Sequence, residues 1–286
     1  MTVAQGLLGF HVELTDKAEP VTAYAALPLV VETLRACIAV ARYRQLRDAL
    51  GYRSWRAVRR HIESLVVLVA SGGEHMSDLE VLRADKGLEV MLGGRLSSPS
   101  QVKDFLYRFH QHADGRPLGE ADDAELSVVG KAQIRAEGPG LVALADLVDD
   151  VVQALQAERP MTTATLDVDA TLIASRKAEA LRCYEGYRAV QPQMALWAEQ
   201  GVWVRDAFRD GNVPAAYAIR DFLQAAFGAL PVGLTTRRLR ADSALYDEEG
   251  LTWADEAGIQ FAVSADMSES LSNPRLLPSR AVRASM

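Results

Sequence analysis

The chain has 286 residues, of which 49% are apolar, enough to bury a full core in one large or two ordinary domains. Its formal net charge of −7 argues against a protein that coats nucleic acid indiscriminately, because such binding rests on many Lys and Arg contacts to phosphate. No apolar run reaches the ~18 residues of a membrane span, and residues 1–16 lack a basic leader region and a small-residue cleavage site, so a cytoplasmic location is expected. Cys37 and Cys183 are the only cysteines, which gives no basis for a disulfide framework or a cysteine-rich zinc site.

Charge is unevenly spread. Arg42, Arg44, Arg47, Arg53, Arg56, Arg59 and Arg60 follow one another with Asp48 as the single acid among them, a patch suited to a phosphate backbone. The patch lies in a region that reads as helices with short connections. Residues 52–70 begin at Ser54 as an expected N-cap and close at Gly72 and Gly73. In SDLEVLRADKG, Ser77 and Glu80 have capping-box spacing and Gly87 stands where a C-cap belongs. Ser98 precedes Pro99 at the start of a further helix, with Val102, Phe105, Leu106 and Phe109 on one face. Leu141, Leu144, Val148, Val151, Val152 and Leu155 form another apolar stripe, ended by Pro160.

The period then changes from helical to two. Residues 165–173 alternate as a strand with Asp167, Asp169 and Thr171 on one face. Apolar runs at 193–198 and 202–208 flank Glu199-Gln200-Gly201, which is hairpin chemistry. A helix over 214–230, a strand over 235–241 ending at Asp242, a helix over 247–257 and a strand over 259–264 complete the order β-β-β-α-β-α-β. That order, with an acid on the first strand and another at the end of the fourth, predicts an α/β fold class: a helical N-terminal region (1–135), a ribonuclease-H-like domain (136–271) and a tail (272–286), of which the family resemblance given below implies that the domain is incomplete and the tail divergent. Residues 111–140 are the expected boundary region.

Carboxylates from two strands of one sheet could share a divalent metal, since Mg²⁺ takes oxygen ligands from one or two carboxylates with water and substrate phosphate. The plain alternative is that these aspartates are solvated strand residues. Arg209 and Asn212, in the string RDGN, would precede a helix whose N-terminal N–H groups suit an anion, or simply form a turn with Asn212 as the helix cap. In YEGYRAVQP, Tyr184, Tyr187 and Arg188 could stack on or grip DNA, with packing at the rim of the core as the favoured reading. A solvated helix face is the alternative for Arg56, Arg59 and Arg60.

Several strings in order and at matching spacing resemble the DDE-type insertion-sequence transposases of the thirteen-eighty group, whose catalytic domain is the group-1 DDE domain. They are GGEHMSDLEVLRADKGLEVMLG, SPSQVKDFLYRFH, TLDVDAT, YEGYRAVQP, RDGN, LRADSALYD and GIQFAVSADMS, spanning residues 25–271. The resemblance implies that Asp169, in a D-x-T string, and Asp242, in an R-x-D-S string, are the catalytic and metal-binding aspartates; Asp167, two residues before Asp169 on the same face, is a reserve ligand or a partner that supports the ligands. It further implies Mg²⁺ or Mn²⁺ as cofactor, insertion-sequence ends and target DNA as partners, a homodimer in a synaptic complex, and an end-binding role for the region of Arg56, Arg59 and Arg60. The third acid of the family, a glutamate on a helix beyond the fifth strand, has no counterpart in SNPRLLPSRAVRASM, so the chain reads as C-terminally truncated and inactive alone in strand transfer. Two other readings stand beside this one. The chain could be a non-enzymatic DNA-binding remnant or inhibitor of an intact transposase. LDVDATL also fits the D-x-D-x-T string of haloacid-dehalogenase-like phosphatases, although the paired acids of that family are absent.

Overall fold

The computed structural model describes residues 20–110, 137–177 and 180–264, together with the backbone of two-residue strands at 4–5, 11–12, 128–129 and 132–133. Most of the expected boundary region 111–140, the end of the resembling stretch and the tail 272–286 lie outside the described residues. The chain divides into two compact units, Met1–Pro117 with Gly138–Ala143, and Leu118–Glu137 with Leu144–Met286.

The first unit is helical: α1 (Leu27–Cys37), α2 (Val40–Ala49), α3 (Trp55–Ala70), α4 (Leu79–Ala84), α5 (Lys86–Leu92) and α6 (Pro99–Tyr107). Its core gathers Val31, Val67, Leu79, Leu88 and Val102, all essentially buried. The start of α6 follows its sequence signature: Ser98 Oγ accepts from Gln101 N, the Gln101 side chain accepts from Ser98 N, and Pro99 occupies the first turn. Ser54 does precede α3, but its side chain makes no cap hydrogen bond.

SDLEVLRADKG departs from the single helix expected of it. The chain breaks at Asp85, whose carboxylate caps α5 by accepting from Leu88 N at 2.8 Å and accepts the Thr22 hydroxyl at 2.8 Å. Gly87 therefore lies inside α5, and the left-handed C-cap is Gly93 with φ 71°. An aspartate one turn before the end of a helical pattern is as good an N-cap as an interior residue is a poor one.

The second unit holds most of α7 (Pro139–Glu158) and a five-stranded sheet. In α7 the buried positions are Ala143, Leu147 and Val152, while Leu141 faces outward, so the inward stripe is rotated from the one read in the sequence. The strands are β1 (Thr163–Ala170), β5 (Gln193–Trp197), β6 (Val202–Ala207), β7 (Thr236–Ala241) and β8 (Gln260–Val263), in the spatial order β6-β5-β1-β7-β8. β1 runs antiparallel to β5 and parallel to β7, and β7 runs parallel to β8. The two parallel connections are made through α8 (Ile219–Gly228) and α9 (Glu248–Glu256), as parallel pairing requires a crossover. The sequence order β-β-β-α-β-α-β is thus present among these elements, in a mixed sheet.

One feature was not expected. Between β1 and β5 the chain makes a small three-stranded antiparallel sheet from β2 (Ile173–Ala174), β3 (Leu181–Arg182) and β4 (Arg188–Val190), in the order β2-β4-β3. Strands of two or three residues carry no periodic signal long enough to read. The sheet core lies on one face only: Leu166 and Val168 of β1, Trp197 and Ala195 of β5 and Leu239 of β7 pack with Phe222, Leu223 and Ala226 of α8. The β5–β6 turn is pinned to β1 by Glu199, whose carboxylate accepts both the N–H and the hydroxyl of Thr165 at 2.8 and 2.6 Å.

In the helical unit, His61 is 7% exposed, sits against the rings of Tyr52 and Phe105, and meets Ser97 Oγ at 2.9 Å. Burial, with help from Arg60, holds its imidazole below the ordinary value. A depressed histidine stabilises the fold while neutral; the contribution is complete above the unfolded value of ~6.5 and is lost as pH falls from there through the lower folded value. Chemical denaturation between pH 8 and 5 should therefore show stability falling on acidification, with a shallower fall in His61→Gln.

Candidate functional site

Alternation along β1 sets which residues face away from the core. Leu166 and Val168 point into it, so Asp167 and Asp169 stand on the opposite face. The register with β7 pairs Arg240 with Asp167 and Ala241 with Val168. One step further along both strands, Asp242 comes level with Asp169. Asp242 keeps an extended backbone, φ −82° and ψ −177°, so the alternation carries it onto the face that holds Arg240. The two aspartates thus lie at the ends of adjacent parallel strands, on the side of the sheet away from the core, and both are exposed among the described residues.

Each of these carboxylates is oriented by one short-range hydrogen bond. Thr171 Oγ1 donates to Asp169 Oδ2 at 2.9 Å, and Ala244 N donates to Asp242 Oδ1 at 3.0 Å at the start of a 3₁₀ turn (Ser243–Leu245). The second oxygen of each has no hydrogen-bond donor among the described residues. Two hard oxygen donors, held in direction and open to solvent, fit a divalent cation of the Mg²⁺ type. Among the described residues, no group of three or more His, Cys, Asp or Glu side chains is gathered as a metal site.

Asp167 behaves differently from its neighbour. Both of its oxygens are taken by Arg240, Nε to Oδ1 at 2.6 Å and Nη2 to Oδ2 at 2.7 Å. The carboxylate in turn raises the Arg240 guanidinium above its ordinary value. This bidentate pair, between residues opposite each other in the β1–β7 register, engages both carboxylate oxygens of the proposed reserve ligand Asp167. The sequence carried a signal for it: an arginine two residues before Asp242 must share the face of Asp242, and the parallel partner of that face is β1.

The RDGN string corrects two further expectations. Arg209 is 2% exposed, so it is not a contact for DNA phosphate. Its Nη1 donates to Gln193 Oε1 at 2.8 Å and to Ala215 O at 3.1 Å, and its Nη2 donates to Pro214 O at 3.1 Å and to Tyr217 O. Burial pulls its pKa down to about 10. Asn212 is exposed, but no helix starts after it; the chain runs through turns until α8 begins at Ile219, so neither the anion site nor the cap forms there. The guanidinium instead gathers the carbonyls of this irregular stretch, which ends in Ala218 with a left-handed φ of 54°.

The same loop anchors the small sheet. Gln191 N donates to Arg209 O at 2.9 Å, Val190 bridges to Asp210, and a side chain at Gly211 would lie 2.4 Å from Ala189 O. Nothing in the local sequence marks Arg209 as inward, because its partners are carbonyls whose placement depends on the turn that it holds.

Tyr184 and Arg188 lie on the β3–β4 hairpin rather than at the rim of the core. Tyr184 is 80% exposed. In the helical unit, Arg56 and Arg60 are exposed, whereas Arg59 is half-buried and drawn inward to Glu63, 3.3 Å away. Glu63 also receives a two-point contact from Arg35 at 2.8 and 3.0 Å. Arg56 and Arg59 lie over the ring of Trp55 at 5.0 and 5.4 Å. Arg59 is therefore bound within its own unit, and the outward face of α3 belongs to Arg56 and Arg60.

Replacing Arg209 with Met would leave Gln193 and three backbone carbonyls without their donor in a buried place. The expected loss is on the order of 3 kcal/mol in urea unfolding, the range for a buried charged hydrogen-bond donor. Arg209→Lys should recover only part of it, because one ammonium cannot reach the spread of acceptors that a planar guanidinium serves.

No protein-family model and no curated protein matches the chain. Among solved structures, a piggyBac transposase in a cryo-EM synaptic complex with hairpin DNA aligns with a TM-score of 0.42 and 13% identity, over 88% of this chain and 54% of that one. The chain spans about half the length of that neighbour. A likeness of that degree carries no argument about fold or function. No helix among the described residues is long and apolar enough to cross a membrane.

Proposed function

We propose that this chain carries part of the catalytic core of a DDE-type DNA transposase of the insertion-sequence kind, in which a ribonuclease-H-like sheet offers Asp169 and Asp242 to Mg²⁺ or Mn²⁺. The observation that carries this reading is the parallel β1–β7 register, which ends with Ala241 opposite Val168 and makes Asp242 and Asp169 the next residue of each chain segment. The order β-β-β-α-β-α-β around a central first strand supports it, as do the strings that resemble the thirteen-eighty group.

In this reading Asp169 and Asp242 each give one oxygen to the cation, while Thr171 and the Ala244 N–H fix the direction of the carboxylates. A divalent cation so held would supply activation of the attacking oxygen and stabilisation of the leaving one. The reaction implied is hydrolysis of a phosphodiester, followed by attack of the freed 3′ hydroxyl on target DNA with release of the old 3′ oxygen. It calls for a third carboxylate, which does not join the two among the described residues, and strand transfer by this chain alone is not expected.

The helical unit is the end-binding part in this proposal. Its described residues 20–110 carry 13 Lys and Arg against 9 Asp and Glu, whereas residues 137–177 and 180–264 together carry 11 against 18. Arg56 and Arg60, exposed on one helix, are the residues assigned to phosphate. Two copies, one on each end of an element, would form the synaptic complex. The alternative of a DNA-binding module without catalysis shares this surface and differs only at the aspartates. A phosphatase reading needs Asp167 as nucleophile, and the Arg240 contact to both its oxygens weighs against that.

Two measurements test the proposal. Titration calorimetry with Mn²⁺ should give binding to the wild-type chain, weakened at least tenfold by Asp169→Asn and by Asp242→Asn, and little changed by Asp167→Asn. Absence of any Mn²⁺ binding would sink the catalytic reading and leave the DNA-binding module. Separately, anisotropy on duplex DNA over a salt series should show weaker binding for the Arg56→Ala, Arg60→Ala double variant, with a log–log salt slope reduced by about 1–2.

A further inference from the structure

We propose that Arg95, in the turn between α5 and α6, joins Arg56 and Arg60 of α3 in one strip that grips the phosphate backbone of duplex DNA. Arg56 and Arg60 stand four residues apart on α3, one turn and about 6 Å along its axis, and both are exposed. Neither has a carboxylate partner among the described residues. Asp48, the one acid within the arginine run, is held by Arg47 at 2.8 Å. Glu63, the next acid along α3, is taken by Arg35 and Arg59. The charge of the exposed pair is therefore left for a ligand.

The turn that follows α5 is laid on α3 by its backbone. Gly93 N donates to Val90 O at 3.1 Å and Gly94 N to Glu89 O at 2.9 Å, the paired bonds that close a helix through a left-handed residue. Gly93 has φ 71° and Gly94 φ 154°, two successive conformations that residues with side chains rarely take. Beyond them, Ser64 Oγ accepts from Ser97 N at 2.9 Å and donates to Arg60 O at 2.6 Å, while His61 Nδ1 meets Ser97 Oγ at 2.9 Å. Arg83 Nε holds Leu96 O at 3.1 Å from α4. The turn is thus fastened to α3 at the level of Arg60, and a Cβ on Gly94 would lie 4.0 Å from Arg60 Nη2. Arg95 is the next residue and is exposed. Glu89, the acid that feels its charge, already holds Lys86 at 2.8 Å. Gathering cations from two elements in this way is unfavourable until an anion lies along them.

The aromatic rings beside the strip favour a duplex over a single strand. Trp55 lies under Arg56 and Arg59 at 5.0 and 5.4 Å, and Tyr52 lies under Arg108 at 4.7 Å, with His61 and Phe105 against it. Single strands are held on ring faces open to their bases, and these faces are covered. A line of cations without such faces suits the regular backbone of a duplex, where phosphate contacts fix position and carry no sequence. The inference rests on the end-binding reading of the helical unit and adds to it a third cation, a second element and the form of the DNA.

The experiment is fluorescence anisotropy of the full chain, without divalent metal, on two blunt duplexes of unrelated sequence and on a single strand of equal length, over a salt series. Arg95→Ala should weaken both duplexes several-fold and to the same extent, and lower the log–log salt slope by about 0.9, the value for one phosphate contact. Arg95→Lys should keep the slope. Because Arg95 is exposed, Arg95→Ala should leave the thermal unfolding midpoint within about 2 °C of wild type. Wild-type affinity and slope in Arg95→Ala overturn the inference, as does a single strand bound as tightly as the duplex. If the Arg56→Ala, Arg60→Ala double variant weakens the duplex and Arg95→Ala does not, the inference fails and the end-binding reading stands. A wild-type chain that binds no duplex overturns both.

Discussion

The alternation of β1 is the constraint from which the second unit is built. With Leu166 and Val168 committed to the core, the residues between them have nowhere to go but the other face, and a shift of one residue would exchange the two sets. β1 is central, so the same choice is passed to both neighbours. Ala195 and Trp197 of β5 join the core side, and Arg240 of β7 joins the side of Asp167 and Asp169, with Asp242 directly after the strand. The hydrophobic core thereby determines where every carboxylate of the candidate site stands.

On that face the acids differ in their company. Asp167 is neutralised by a bidentate arginine, while Asp169 and Asp242 are oriented only by a hydroxyl and a backbone N–H. An ion pair beside two exposed carboxylates limits the negative charge that accumulates where parallel strands bring acids level.

Arg209 does a comparable task for irregular backbone. Turns between β6 and α8 have carbonyls that no ladder or helix can satisfy, and in a buried place these need a donor. A single guanidinium serves three of them and a glutamine side chain. The loop it holds is also the loop against which β4 is laid, so the small sheet is fixed to the main one through a buried cation and not through a shared apolar core. Charge there has a structural use.

The sequence alone determined the order of the elements of the main sheet, because strands of four to eight residues and amphipathic helices leave periodic marks. It also placed the start of α6 at Ser98 and Pro99 and put Asp167 and Asp169 on one face, since both follow from local spacing. Only the tertiary structure decided which of the acids is open. The register of β7 on β1 joins residues 73 positions apart, and no local pattern encodes such a pairing. The burial of Arg209, the inward turn of Arg59 toward Glu63 and the exposure of Tyr184 were likewise beyond the sequence. A charged or aromatic side chain is compatible with either side of a surface, and the choice is made by partners that arrive from distant parts of the chain.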